Sequence, residues 1–94
     1  MPSLLIRQKV ADFDTWRRAF DEDAGTRRAN GSISWRVFRN NAETNEIWIL
    51  LEWDDLMRAR LFAKSDDLID VLVRAGVTDL PDYWFLDETN PPTL

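Results

Sequence analysis

Apolar positions along the chain recur with a period of two in some stretches and near 3.6 in others, and the switches divide it into elements. Between Leu4 and Val10, Leu4, Ile6 and Val10 fall on one side and Leu5, Arg7 and Lys9 on the other, which is strand periodicity. Asp12 then stands where a helix cap belongs, ahead of Phe13, Trp16 and Phe20 at i, i+3 and i+7, with Ala24 extending the stripe. Asp14 in the first turn and Arg27 and Arg28 in the last suit the helix dipole, and Gly31 supplies a stop. Gly25 is where this helix is expected to bend or fray.

Ser32 to Arg39 alternates again, Ile33, Trp35 and Val37 against Ser34, Arg36 and Phe38. Glu46 to Trp53 follows after the polar stretch Asn40 to Asn45, so the two strands form an antiparallel hairpin. Ile47 to Leu51 is continuously apolar, the pattern of a strand buried on both faces. Asp54 or Asp55 caps a short helix carrying Leu56, Ala59 and Phe62, and Ser65 caps another that ends before Gly76. Tyr83 to Asp87 reads as the last strand, and residues 89–94, with Asn90-Pro91-Pro92, as a loose tail. The order βαββαβ makes residues 1–94 one α+β domain, a ferredoxin-like antiparallel sheet with its helices on one face.

Such a sheet has a second face. If Leu4, Ile6, Ile33, Trp35, Val37, Ile47, Ile49, Leu51, Tyr83 and Phe85 meet the helices, the other side carries Leu5, Arg7, Lys9, Arg36, Phe38, Trp48, Leu50, Glu52, Trp84 and Leu86. That set exceeds the apolar patch of roughly 300–600 Å² that a monomer leaves in water, so a second copy of the chain is expected to cover it. Two readings of the face stand side by side. In one it is a self-complementary interface, with Trp48 and Trp84 as anchors and Arg7, Lys9 and Arg36 paired with Glu52 or Glu88. In the other, the paired sheets enclose a cavity for a small aromatic or anionic ligand, lined by Arg7, Lys9, Arg36, Phe38, Trp48, Leu50 and Trp84.

Composition narrows the chemistry. Seventeen acidic against twelve basic residues give a net charge of −5, with the bases scattered, which argues against nucleic acid as a partner. With no cysteine and no histidine, thiolate nucleophiles, common nucleophile–base pairs and zinc sites drop out. Asp21-Glu22-Asp23 and Asp66-Asp67 lack calcium-loop spacing and read as caps or solvated helix faces, so no metal is expected. Arg7 and Lys9 interrupt the first apolar run, which leaves neither a secretory segment nor a membrane span and makes a cytoplasmic location the expectation.

Several segments, in this order and spacing, resemble the small dimeric α/β-barrel proteins of the antibiotic biosynthesis monooxygenase-like superfamily, particularly its cyclase-like bacterial members. They are Leu5 to Val10 followed by Asp12-Phe13-Asp14-Thr15-Trp16, Phe38-Arg39-Asn40, Leu51-Glu52-Trp53-Asp54-Asp55-Leu56 with Ala59 and Phe62-Ala63, and Arg74-Ala75-Gly76-Val77. The resemblance implies a ferredoxin-like protomer that pairs through its open sheet face into a homodimeric barrel. It also implies a cofactor-independent monooxygenase or cyclase acting on an aromatic or polyketide-like small molecule. A non-catalytic small-molecule-binding barrel and a structural or interaction dimer are the alternatives. Haem-degrading members need an axial histidine, which this chain lacks. For catalysis Glu52 is the candidate, because burial in an apolar barrel would raise its proton affinity and suit it to remove a proton from a phenol or diketone. Arg7 and Arg36 would then hold the enolate, and Trp48, Phe38 and Trp84 would shape the pocket. The structural alternative has Glu52 in an internal ion pair with one of those arginines.

Overall fold

A computed structural model describes residues 1–89; residues 90–94, most of the expected tail, lie outside the described residues. The chain runs β1 (Pro2–Lys9), α1 (Phe13–Glu22), α2 (Ala24–Ala29), β2 (Ser32–Arg39), β3 (Glu46–Trp53), α3 (Leu56–Ala63), α4 (Asp66–Arg74) and β4 (Asp82–Asp87). The four strands form one antiparallel sheet in the order β2-β3-β1-β4. This is the α+β ferredoxin-like architecture read from the sequence.

Capping side chains start the helices where expected. The Asp12 carboxylate accepts from the Thr15 amide at 2.9 Å, Asp55 from the Met57 amide at 3.2 Å, and the Ser65 hydroxyl from the Leu68 amide at 3.1 Å. Gly31 and Gly76 occupy positive φ at 113° and 74°, which lets the chain reverse after α2 and α4. Beyond β1, Val10 forms a lone bridge with Val77, which ties the end of the first strand to the segment after α4.

Side-chain parity places Leu4, Ile6, Ile47, Ile49, Leu51 and Trp53 on the helix-covered side, all buried against Trp16, Phe20, Ala59, Phe62 and Leu68. Each large apolar side chain so buried stabilises the fold by roughly 1.5–3 kcal/mol. Phe13, Trp16 and Phe20 stack along α1 with ring centres 5.8 and 4.9 Å apart, so the stripe in the sequence becomes one aromatic ridge over the sheet.

Two local expectations need correction. Ile33 does not join the helix-facing row: Ser32 pairs with Trp53 and Ser34 with Glu52, so Ile33 is the extra residue of a β-bulge and stands 46% exposed. The first helical stretch breaks at Asp23, which separates α1 from α2, and not at Gly25, which lies inside α2. The break leaves Asp23 and Arg27 buried on the inside of the fold, 8% and 2% exposed.

Candidate functional site

Every site residue named from the sequence lies on the open face of the sheet. Across β2, β3, β1 and β4 the rows read Ser34, Glu52, Ser3, Leu86; then Arg36, Leu50, Leu5, Trp84; then Phe38, Trp48, Arg7, Asp82; Glu46 and Lys9 form the next pair. Trp48 and Trp84 stack over β1 with ring centres 5.8 Å apart. Phe38, Trp84 and Leu86 remain exposed in the single chain, and β3 alternates between buried and half-buried instead of being buried on both faces.

Within the single chain the charges on this face pair with neighbours on the sheet. Arg7 donates from Nε to Asp82 at 3.1 Å, reaches Glu46 at 3.7 Å, and lies 5.7 Å from the Trp48 ring centre. Glu52 accepts from the Ser34 hydroxyl at 2.9 Å. Arg36 rests 5.2 Å from the Phe38 ring centre. Trp48, Arg7 and Asp82 are thus held by one another, while Glu52 sits two rows away beside serines.

A second polar cluster lies on the other side of the sheet. Between the strands and the helices lies a cavity of about 30 Å³, walled by Ile6, Ile49 and Leu51 from the sheet, Trp16 and Phe20 from α1, and Phe62, Leu68, Val71 and Leu72 from α3 and α4. Its polar lining consists of Gln8, Asp23 and Arg27, together with the Trp16 indole N–H, which donates to Gln8 Oε1 at 2.8 Å. The space holds about two water molecules. A ring system enters only if the helical wall shifts.

Arg27 dominates the electrostatics there. Its Nη1 donates to the Phe20 carbonyl at 2.7 Å and lies 3.8 Å from Asp23 Oδ2. Its central carbon sits 3.7 Å from the Phe20 ring centre and 4.3 Å from that of Trp35. Nε and Nη2 are buried with no hydrogen-bond partner among the described residues. Burial pushes the guanidinium down to about 10, against the pull of Asp23. Burial likewise pushes the Asp23 carboxyl above its ordinary range, opposed by Arg27 and Arg74.

Gln8, Asp23 and Arg27 are not among the site residues expected from the sequence, yet a signal for them exists. Trp16, Phe20, Asp23 and Arg27 follow one another at i, i+4, i+7 and i+11, so both charged residues continue the aromatic stripe. Gln8 shares parity with Leu4 and Ile6, which places a polar side chain at a core position of β1. Asp21 and Glu22, by contrast, are surface groups that reach Arg17 and Arg74 at 3.3 and 3.9 Å. Among the described residues no helix is long and apolar enough to cross a membrane.

No protein-family model matches the sequence, and no curated protein does. Solved structures do match it over nearly their whole length. A candidate antibiotic biosynthesis monooxygenase of Bordetella bronchiseptica superposes with a TM-score of 0.80 at 10% identity, covering 95% of this chain and 97% of its own. SnoaB, a cofactor-independent oxygenase from Streptomyces nogalater, gives 0.77 at 14% identity, with 96% of this chain and 94% of its own covered. A candidate monooxygenase of the same description from Deinococcus radiodurans gives 0.75 at 16% identity, covering 100% and 98%. The likeness is one of fold: the chain has the architecture of the antibiotic biosynthesis monooxygenase-like proteins, as its sequence motifs suggested.

Proposed function

We propose that this chain is a homodimeric α/β barrel that takes an aromatic or polyketide-like small molecule and acts on it as a cofactor-independent oxygenase or cyclase. The observation that carries the reading is the cavity between sheet and helices, apolar and aromatic on most of its lining, with Gln8, Asp23 and Arg27 converging on it; at about 30 Å³ it takes a ring system once the helical wall shifts. The fold shared with a cofactor-independent oxygenase supports the same class. In such chemistry the substrate supplies the electrons. A base removes a proton from an activated methylene, and dioxygen converts that CH₂ to a carbonyl with release of water.

Two carboxylates compete for the role of base. Glu52 lies on the open face, bonded to Ser34 and half-buried in the single chain. Asp23 is buried, lines the cavity and holds its proton more tightly than an ordinary aspartate, because burial disfavours its charge. The second description fits a general base better, and we place the reaction at the inner cavity. On this reading the open face, with Trp48, Trp84, Phe38 and Leu50, is the dimer interface, and Arg7, Lys9, Arg36 and Glu52 are its polar elements.

Oxygen uptake with an electron-rich hydroxyanthrone, in the presence of a chelator and without added cofactor, tests the activity. Asp23→Asn is expected to abolish uptake and Glu52→Gln to leave it; the reverse result moves the base to the open face. A wild-type protein that binds such compounds without consuming oxygen or cyclising them is a binding barrel and not an enzyme. Sedimentation should report two chains, and Trp48→Glu should yield a monomer. A stable wild-type monomer at micromolar concentration would exclude the interface.

A further inference from the structure

The guanidinium of Arg27 is an expensive group to bury, and its surroundings leave half of it unused. Of its three nitrogens, Nη1 is bonded to the Phe20 carbonyl at 2.7 Å, whereas Nε and Nη2 are sealed from solvent with no partner among the described residues. Asp23 does not serve those two: its nearest approach is to Nη1, at 3.8 Å, beyond a hydrogen bond. Leaving buried donors unpaired is costly, so a side chain kept only for its volume would be apolar. The Phe20 and Trp35 rings stand at 90° to each other and hold the guanidinium in the corner between them, so its position is set before any ligand arrives.

The two unpaired nitrogens are not an arbitrary pair. Nε–H and one N–H of Nη2 lie along the same edge of the planar group and point parallel, the geometry that meets both oxygens of a carboxylate at once. We propose that this free edge is a carboxylate receptor, and that the small molecule taken by this chain therefore bears a carboxylic acid. The inference rests on the inner cavity being the ligand site. Arg27 lines that cavity, which has room for about two water molecules, so a carboxylate and its carbon skeleton enter as the helical wall shifts, with Ile6, Ile49, Leu51 and Phe62 as the apolar lining.

Titration of the full-length protein with benzoate and with benzamide, at fixed ionic strength, tests the receptor while arginine Nε–H resonances are followed by NMR. The two probes have nearly the same shape and differ in charge and in the second acceptor oxygen. Benzoate is expected to bind at least tenfold more tightly than benzamide and to shift the Arg27 Nε–H resonance. Arg27→Lys keeps the charge but loses the paired edge, and should cost about tenfold in benzoate affinity with benzamide unaffected. Equal binding of the two probes would overturn the carboxylate receptor and leave the cavity as a ligand site. Binding of neither would remove the cavity itself, and benzoate that shifts Arg7 or Arg36 instead of Arg27 would relocate the site to the open face. Should the lysine variant not fold, the acid-to-amide ratio and the Arg27 shift in the wild-type chain decide the matter.

Discussion

Replacing Arg27 by methionine keeps an unbranched side chain of similar length and removes the buried charge. Asp23, 8% exposed and 3.8 Å from the lost guanidinium, then stays behind without its nearest counterion. Breaking a buried pair from one side costs about 3–5 kcal/mol, offset in part here because the unpaired Nε and Nη2 donors leave with the guanidinium, whereas removing both charges is often neutral. Against a total stability of about 5–15 kcal/mol for a domain of this size, a net loss of about 2 kcal/mol is a large share, and the melting temperature should fall by about 8–16 °C. Asp23→Asn combined with Arg27→Met should recover most of the loss, giving a coupling of about 1–3 kcal/mol between the positions.

The deficit should also depend on pH in a set direction. Burial raises the Asp23 pKa above its ordinary 3.8, Arg27 and Arg74 pull it back, and Asp67 pushes it further up. A folded-state pKa above the unfolded value means the penalty is full at higher pH and disappears as pH falls through the folded pKa toward 3.8. Without Arg27 that pKa climbs, so the Arg27→Met deficit should be largest near neutrality and shrink on acidification. Urea denaturation followed by tryptophan fluorescence, at neutral pH and at mildly acidic pH, measures it. A loss below about 1 kcal/mol at neutrality, a deficit independent of pH, or strict additivity in the double variant would refute the reasoning.

Two glycines should respond oppositely to alanine. At Gly25 a Cβ meets nothing within 4 Å, so Gly25→Ala should stabilise α2 by about 0.5 kcal/mol, whereas at Gly31 the φ of +113° and an Asp54 oxygen 2.6 Å from the added carbon make Gly31→Ala cost about 1–3 kcal/mol; calorimetric melting distinguishes them. Tyr83 is the single tyrosine, so phenolate absorbance reports it alone. Burial raises its pKa above 10.0, so the folded chain should ionise at higher pH than the urea-unfolded chain, and its contribution to stability, complete below pH 10, should decline as pH rises beyond that point. Coincident titrations of the two states would contradict the burial assigned to Tyr83.

The elements were legible in the sequence because their causes are local. Alternation in Leu4 to Val10 and Glu46 to Trp53, the caps at Asp12, Asp55 and Ser65, and the reversals at Gly31 and Gly76 depend on residues a few positions apart. The composition of the open face followed from parity alone, and the register brings Glu52, Leu50, Trp48, Arg36, Phe38, Arg7 and Trp84 onto it together. Parity does not say who pairs with whom. Arg7 took Asp82 and Glu46, and Glu52 took Ser34, because strand order and register, set by the whole sheet, decide which charges are adjacent. Ile33 left its row for a similar reason, since a bulge resets parity without any mark in the alternation.

The inner site was the least legible. Asp23 and Arg27 carry charges that read as helix-end electrostatics at the surface, although their spacing continues the stripe of Trp16 and Phe20. Only the packing of α1 and α2 over the sheet turns that stripe inward, strips water from the guanidinium and leaves its Nε and Nη2 without partners. Burial is a property of the assembled layers, and desolvation is what makes an ordinary arginine into a candidate receptor.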